Sequence, residues 1–257
     1  MKDLILFSID KNHFALELDK IKRIVQATPT TPVAGNADEI EGVFTFEENV
    51  LNVLDFRTMI GVDVYNSRYD DLFPKLKNSH QAWVDALKTT VDESVEFTGE
   101  LSPFDCDLGK WLSSFNAYDE TVTDIIDKLS VVHNKFHGQA TSIVNEAKGC
   151  KSCAHEMIDS GVEPLKEELL SFLDALHADK QLIANSMQKF LIIDAEKSFA
   201  VRIDEIDDII AISEDDIQAS ETFDGDDSLV KIDGIFEYKE KLVNLIESIK
   251  MPQVKDL

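Results

Sequence analysis

Residues 40–55 read IEGVFTFEENVLNVLD, and residues 232–247 read IDGIFEYKEKLVNLIE. Gly42 matches Gly234, Phe44 matches Phe236, and Asn52 matches Asn244. A second pair of blocks recurs in the same order, FALELDKIKRIV at 14–25 and FAVRIDEIDDII at 199–210. Two matched blocks in one order mean one structural unit used twice. The unit is β-rich. Leu4 to Ile9, Phe14 to Leu18, Val43 to Phe46 and Val50 to Leu54 are short apolar runs. Polar turns such as Asp10-Lys11-Asn12 and Glu47-Glu48-Asn49 separate them. The second copy shows Phe190 to Ile193, Phe199 to Ile203, Ile235 to Tyr238 and Leu242 to Ile246. Short strands at this spacing predict two similar subdomains, each a small barrel or sandwich of about five strands.

Between the copies the apolar period changes from two to three and four, from about Asn78 to Ser186. That is helical spacing. His80, Val84, Leu87, Val91 and Val95 line one face. So do Val122, Ile126, Leu129, His133, Phe136, Ala140, Val144 and Ala147, and then Leu165, Leu169, Phe172, Leu176 and Ile183. Pro164 suits a first helical turn, and Gly109 to Phe115 reads as a shorter helix. This content predicts a four-helix bundle. The chain is therefore read as α+β and multi-domain, with β halves at 1–70 and 187–257 and a helical insertion at 75–185. The ends of the insertion are expected to join the two subdomains, so that changes in the bundle reach their relative orientation.

Composition narrows the function. The 257 residues carry 50 Asp and Glu against 25 Lys and Arg, a formal net charge of -25. Nucleic acid and anionic membranes select clustered Lys and Arg and would repel this chain. Its acidity suits a soluble cytoplasmic protein with basic partners. The opening apolar run stops at Ser8, too short for a secretory signal, and no stretch reaches the about 18 apolar residues of a membrane span. Three cysteines form no disulfide framework, which is read as a reducing compartment.

His133 and His137 lie four apart in HNKFH, one above the other on a helix. His80 lies on the apolar face of its own helix. Cys106 sits just before Leu108-Gly109-Lys110-Trp111, after a loop able to carry its sulfur inward. Three imidazoles and a thiolate suit tetrahedral zinc and disfavour magnesium or calcium. Packed core histidines account for the same positions, and the spacing alone leaves both readings open. Cys150 and Cys153 form CKSC followed by Ala154 and His155. Ala154 excludes the covalent haem motif. A dithiol redox pair, a second metal site with His155, or two plain thiols remain. His13 and His177 have no partner identifiable from sequence. The acidic run Glu214 to Asp227 lacks the calcium-loop pattern and reads as solvated turn and loop.

The segments HQAW at 80–83, CDLGKWL at 106–112 and HNKFH at 133–137 resemble the chemoreceptor zinc-binding (CZB) domain. That resemblance implies zinc held by His80, Cys106, His133 and His137. Trp83 and Trp111 also match and are read as core packing. The split β unit resembles the CheW family of chemotaxis adaptors, on LILFSIDKNHFALELDKIKRIV, GVFTFEENVLNVLDFRTMIGV, FLIIDAEKSFAVRIDEIDDII and IFEYKEKLVNLIESI. The family fold is a pair of small β-barrel subdomains. It bridges chemoreceptor cytoplasmic tips and the CheA-type histidine kinase, without catalysis. Where the family reads Asn-Leu-Arg-Gly, this chain has Thr45-Phe46-Glu47-Glu48, so Glu47 replaces the family arginine. A family proline is Asn52 here, whereas Asp55, Arg57 and Gly61 keep the pattern. The resemblance marks Glu47, Asp55 and Arg57 as candidate partner-binding residues, with a specialised partner as an alternative to receptor or kinase.

The expected function is a non-enzymatic signalling adaptor that senses zinc, or an oxidant such as hypochlorous acid acting at Cys106. A homodimer through the helical bundle is a further expectation. A zinc hydrolase or lyase, and a zinc buffer attached to a scaffold, are the alternatives. Cys106 in the fourth ligand place counts against hydrolysis, because closed four-ligand sites are structural or regulatory as a rule.

Overall fold

A computed structural model of the chain describes residues 1–34, 37–115, 119–219 and 228–252. It divides into a β-rich unit of residues 1–65 and 184–257 and a helical unit of residues 66–183. In the β unit, the first half contributes β1 (Lys2–Ile9), β2 (Asn12–Glu17), β3 (Ile21–Gln26), β4 (Ile40–Phe46) and β5 (Asn49–Asp55), then the short helix α1 (Phe56–Met59). The second half contributes β6 (Lys189–Ile193), β7 (Phe199–Ile203), β8 (Glu205–Ile212), β9 (Gln218–Ala219), β10 (Val230–Tyr238) and β11 (Lys241–Ile249).

The strands form two sheets, in the orders β8-β1-β2-β11-β10-β9 and β3-β6-β7-β5-β4. Neither sheet is one copy of the repeat. Each combines the first two strands of one copy with later strands of the other. The halves meet at two parallel pairings, β2 with β11 and β7 with β5, and at two antiparallel ones, β1 with β8 and β3 with β6. This corrects the expectation of one subdomain per half. Sequence similarity identifies equivalent strands, but it does not say which copy each strand pairs with.

A second correction follows from the topology. The helical unit leaves the chain after β5 and α1 and returns at β6, and β5 and β6 belong to the same sheet with only β7 between them. Its two ends therefore do not join two separate subdomains.

Phe7, Phe14 and Phe56 meet in the main β core, with ring centroids 5.0 to 5.8 Å apart. Ile5, Leu54, Leu191, Val201 and Ile203 pack around them. Each fully buried side chain of this kind contributes about 1.5–3 kcal/mol. β1 is buried on both faces, which is why LILF is a continuous apolar run. β8 alternates exposed and half-buried residues along its length.

The matched glycines have a common physical cause. A Cβ on Gly42 would lie 2.5 Å from the Thr31 carbonyl oxygen, and one on Gly234 2.7 Å from the Gln218 carbonyl oxygen. In each sheet an edge segment crosses there, through the Thr31–Val43 bridge and the pairing of β9 with β10. The hairpin turns are equivalent too. Glu47 and Glu48 have φ of 46° and 68°, and Lys239 and Glu240 have 48° and 64°. Two-residue hairpins of this left-handed kind favour Asn-Gly. Asn49 is the first residue of β5 and donates to the Glu47 carbonyl at 3.0 Å.

Arg57 is buried. Its Nη2 donates to Asp204 Oδ2 at 2.6 Å, its Nε to Asp204 Oδ1 at 2.9 Å, and its Nη1 to the Asp63 carbonyl at 2.7 Å. Burial acts to lower the Arg57 pKa, but the bonds and charge of Asp204 outweigh it and hold the pKa above the ordinary value.

The helical unit contains α2 (Arg68–Glu93), α3 (Asp107–Ser114), α4 (Glu120–Gly138), α5 (Ala140–Ala147), α6 (Lys151–Met157) and α7 (Glu163–Ala178). α8 (Lys180–Met187) leads back to β6. α7 packs on both α2 and α4. α2 starts well before Asn78 and accommodates Pro74 in its second turn. It ends at Glu93, so Val95 is 49% exposed and not on the apolar face. The second predicted helix is interrupted at Gln139 into α4 and α5. α6 and α7 are joined by a π-helical turn, Ile158–Val162. Pro164 follows that turn and fits the second position of α7, where a missing N–H costs little.

Cys150 and Cys153 are joined by a disulfide, leaving Cys106 free. Of the readings open for CKSC, this joined pair agrees with a dithiol pair and not with two plain thiols. Glu214–Asp216 is a short 3-10 helix, and residues 220–227 of the acidic run lie outside the described residues. Among the described residues, no helix is long and apolar enough to cross a membrane.

Two substitutions test the β unit in opposite directions. Glu48→Gly removes a left-handed non-glycine residue and should raise unfolding stability by about 1 kcal/mol. Arg57→Ala leaves Asp204 buried without its partner and should lower stability by about 3–5 kcal/mol. Denaturant titration of the full chain measures both.

Candidate metal centre

Three separate segments of the helical unit place four side chains together. α2 carries His80, α4 carries His133 and His137, and Cys106 is the residue that caps α3. One donor atom from each lies within 4.8 Å of every other. The three histidines are each only 2% exposed, whereas Cys106 is half-buried. Cys106 Sγ lies 3.1 Å from His133 Nε2.

Local structure explains the position of Cys106. Its backbone is extended, and its Sγ accepts the Gly109 N–H at 3.3 Å, as an N-cap side chain does. The first turn of α3 presses against the preceding loop so closely that a Cβ on Gly109 would lie 1.8 Å from the Pro103 carbonyl oxygen. Glycine is therefore required for this capping geometry.

The imidazoles are oriented by their outer nitrogens. His80 Nδ1 is 2.7 Å from the Leu76 carbonyl oxygen, and His137 Nδ1 is 2.8 Å from the Glu100 carbonyl oxygen. A carbonyl oxygen only accepts, so each Nδ1 carries the proton and each Nε2 carries a lone pair. Both Nε2 atoms are buried with no hydrogen-bond partner. A buried acceptor left this way costs about 1–3 kcal/mol. Two such atoms beside a third imidazole and a thiol form a donor set that could hold a metal ion, with backbone bonds of the kind that fix ligand tautomers. Three nitrogens and one sulfur fit zinc.

The electrostatics agree with neutral imidazoles. Burial lowers the His80 pKa to about 4 against its bond to Leu76, with the charge of His137 adding to the lowering. Burial, with His137 and His80 nearby, lowers that of His133 to about 3. Burial also lowers His137. Metal binding requires the neutral ring. The Cys106 thiol is pushed up by burial, against the Gly109 and Leu108 N–H groups that favour its thiolate.

Trp83 does more than pack. Its ring lies tilted against Phe136 and edge-on to His137, at 4.5 and 5.1 Å between centroids. Its Nε1–H also donates to the Glu100 carbonyl at 2.9 Å, the same oxygen that receives His137. Glu100 has no sequence signal of its own, because its main chain makes these bonds. Gly99 lets the chain pass the Trp83 ring, which a Cβ there would approach to 2.8 Å. Trp111 packs against Phe73 and Phe115. A cleft of about 340 Å³ lined by Trp83, Glu100, Asp105, Cys106 and Lys110 gives solvent a path to the sulfur.

The other candidates lie elsewhere. Glu47 is exposed at the β4–β5 hairpin tip, 3.6 Å from Arg23. Asp55 and Arg57 are buried. Asp55 caps α1 by accepting the Arg57 N–H at 2.9 Å, and Arg57 holds Asp204. Burial raises the Asp55 pKa, opposed by that N–H bond. Both side chains are thus engaged inside the fold. The remaining histidines have acidic neighbours: His13 with Asp207, His155 with Asp92, and His177 with Asp70.

The family described as CheW-like domain matches residues 3–73, which span β1 to β5, α1 and the first turns of α2. The crystal structure of the scaffolding protein TtCheW from Thermoanaerobacter tengcongensis is similar at a TM-score of 0.44 and 10% identity, over 96% of this chain and 88% of that one. No curated protein matches this chain.

Trp83→Phe keeps the ring and deletes the N–H to Glu100. Loss of such a supporting bond should weaken zinc retention by about 10- to 100-fold. Competition with a chromophoric chelator measures this.

Proposed function

We propose that this chain is a non-enzymatic, cytoplasmic signalling adaptor of the chemotaxis type. Its CheW-like body, residues 1–70 and 187–257, is interrupted at 75–185 by a CZB-type four-helix bundle. The bundle holds one zinc ion through His80, Cys106, His133 and His137 and pairs two copies of the chain. The observation that carries this reading is the pair of buried, unpartnered Nε2 atoms of His80 and His137, in a group whose donor atoms lie within 4.8 Å. The CheW-like match at residues 3–73 supports the adaptor body. When bound, zinc supplies the positive charge that keeps Cys106 as thiolate.

Cys106 is the one sulfur of the four, and the cleft beside it is open to small molecules. This supports oxidant sensing, with hypochlorous acid converting Cys106 to sulfenic acid. A zinc hydrolase is the weaker reading, since Cys106 takes the place a catalytic water needs. A zinc buffer is separated from a sensor by its affinity.

The partners are chemoreceptor tips, a CheA-type kinase, or a specialised protein that replaces them. Glu47 carries the charge opposite to the family arginine and stands exposed, which favours a partner with a basic contact.

Two experiments test the proposal. Hypochlorous acid should release zinc from the native chain, and Cys106→Ser, reloaded with zinc, should lose at least tenfold in sensitivity. Equal release from both would refute oxidant sensing at this sulfur. In pull-downs with and without zinc, Glu47→Arg should raise capture of receptor tips and kinase several-fold. Unchanged capture would remove Glu47 from the docking surface.

A further inference from the structure

The disulfide between Cys150 and Cys153 has no part in the metal centre. It closes a ring across only three residues, at the start of α6. A loop this short restrains the unfolded chain very little, so the bond adds little to stability compared with long-range disulfides. It also anchors no core, because Cys150 and the Cys153 N–H lie at the exposed side of α6.

Its surroundings favour reactivity. Cys150 is the N-cap of α6, and its Sγ accepts the Cys153 N–H at 3.2 Å. α6 continues through the π turn into α7, so the positive end of a long helical run faces this sulfur. The backbone N–H and the helix N-terminus at this sulfur mark Cys150 as the attacking member of the reduced pair. The Glu146 carboxylate, within 4.8 Å of both sulfurs, is the opposing charge.

We propose that Cys150 and Cys153 form a thiol–disulfide exchange site that uses a low-molecular-weight disulfide of the glutathione type as oxidant. The Cys150 thiolate attacks one sulfur of the oxidant, whose S–S bond breaks and releases one glutathione thiolate. The Cys153 thiolate then attacks the Cys150 sulfur of the mixed disulfide. The Cys150–Cys153 bond forms and the second glutathione thiolate leaves. Two electrons pass from the protein to the oxidant, and the two cysteine protons go to the two glutathione thiols. Two glutathione thiols reverse the sequence. The chain thus holds two sulfur chemistries, a ligand at Cys106 and an exchanging pair at Cys150 and Cys153.

The test uses the full zinc-loaded chain, equilibrated in glutathione and glutathione disulfide from reducing to oxidising mixtures. Acid quenching, maleimide labelling and peptide mass spectrometry report each cysteine separately. Cys150 and Cys153 should gain and lose labels together and reversibly within this range. Cys153→Ser should trap glutathione on Cys150 several-fold faster than Cys150→Ser traps it on Cys153. A pair that stays joined, or stays reduced, in every mixture would overturn the site. Equal trapping rates would overturn Cys150 as the attacking sulfur.

Discussion

His80 donates from Nδ1 to the Leu76 carbonyl, and His137 donates from Nδ1 to the Glu100 carbonyl. These two bonds settle which nitrogen of each ring is free, and both free nitrogens are buried beside His133 and Cys106. The arrangement reaches well beyond four residues. Leu76 is one turn before His80 on α2. Glu100 is held by Trp83, one turn after His80. Cys106 depends on Gly109, where only glycine fits against Pro103. The metal reading therefore rests on a connected set of backbone contacts, each of which fails in a definable way.

The β unit imposes a different constraint. Because each sheet takes strands from both halves of the chain, neither half completes a sheet alone. The buried Arg57–Asp204 pair ties the end of β5 to the residue just after β7, across the sequence gap that holds the helical unit. The helical unit enters and leaves by strands of one sheet.

Much of this was legible in the chain. The repeat located the equivalent strands, and its matched glycines proved to mark the two edge crossings at Thr31 and Gln218. Inward helical positions together with the resemblance named the four clustered side chains. Strand exchange was not legible, because similar strands carry no label for their partners. The burial of Arg57 was not legible, since its ion pair with Asp204 spans 147 positions and leaves no local pattern. The supporting role of Glu100 was invisible for a related reason: its main chain makes the bonds. The break at Gln139 and the π turn before Pro164 leave no mark in the apolar spacing, which persists through both.

X-ray absorption at the zinc edge of the purified full chain tests the central claim most directly. The account predicts one zinc per chain with three nitrogen neighbours at about 2.0–2.1 Å and one sulfur at about 2.3 Å. A chain that retains no zinc, or a zinc shell without sulfur, would contradict it.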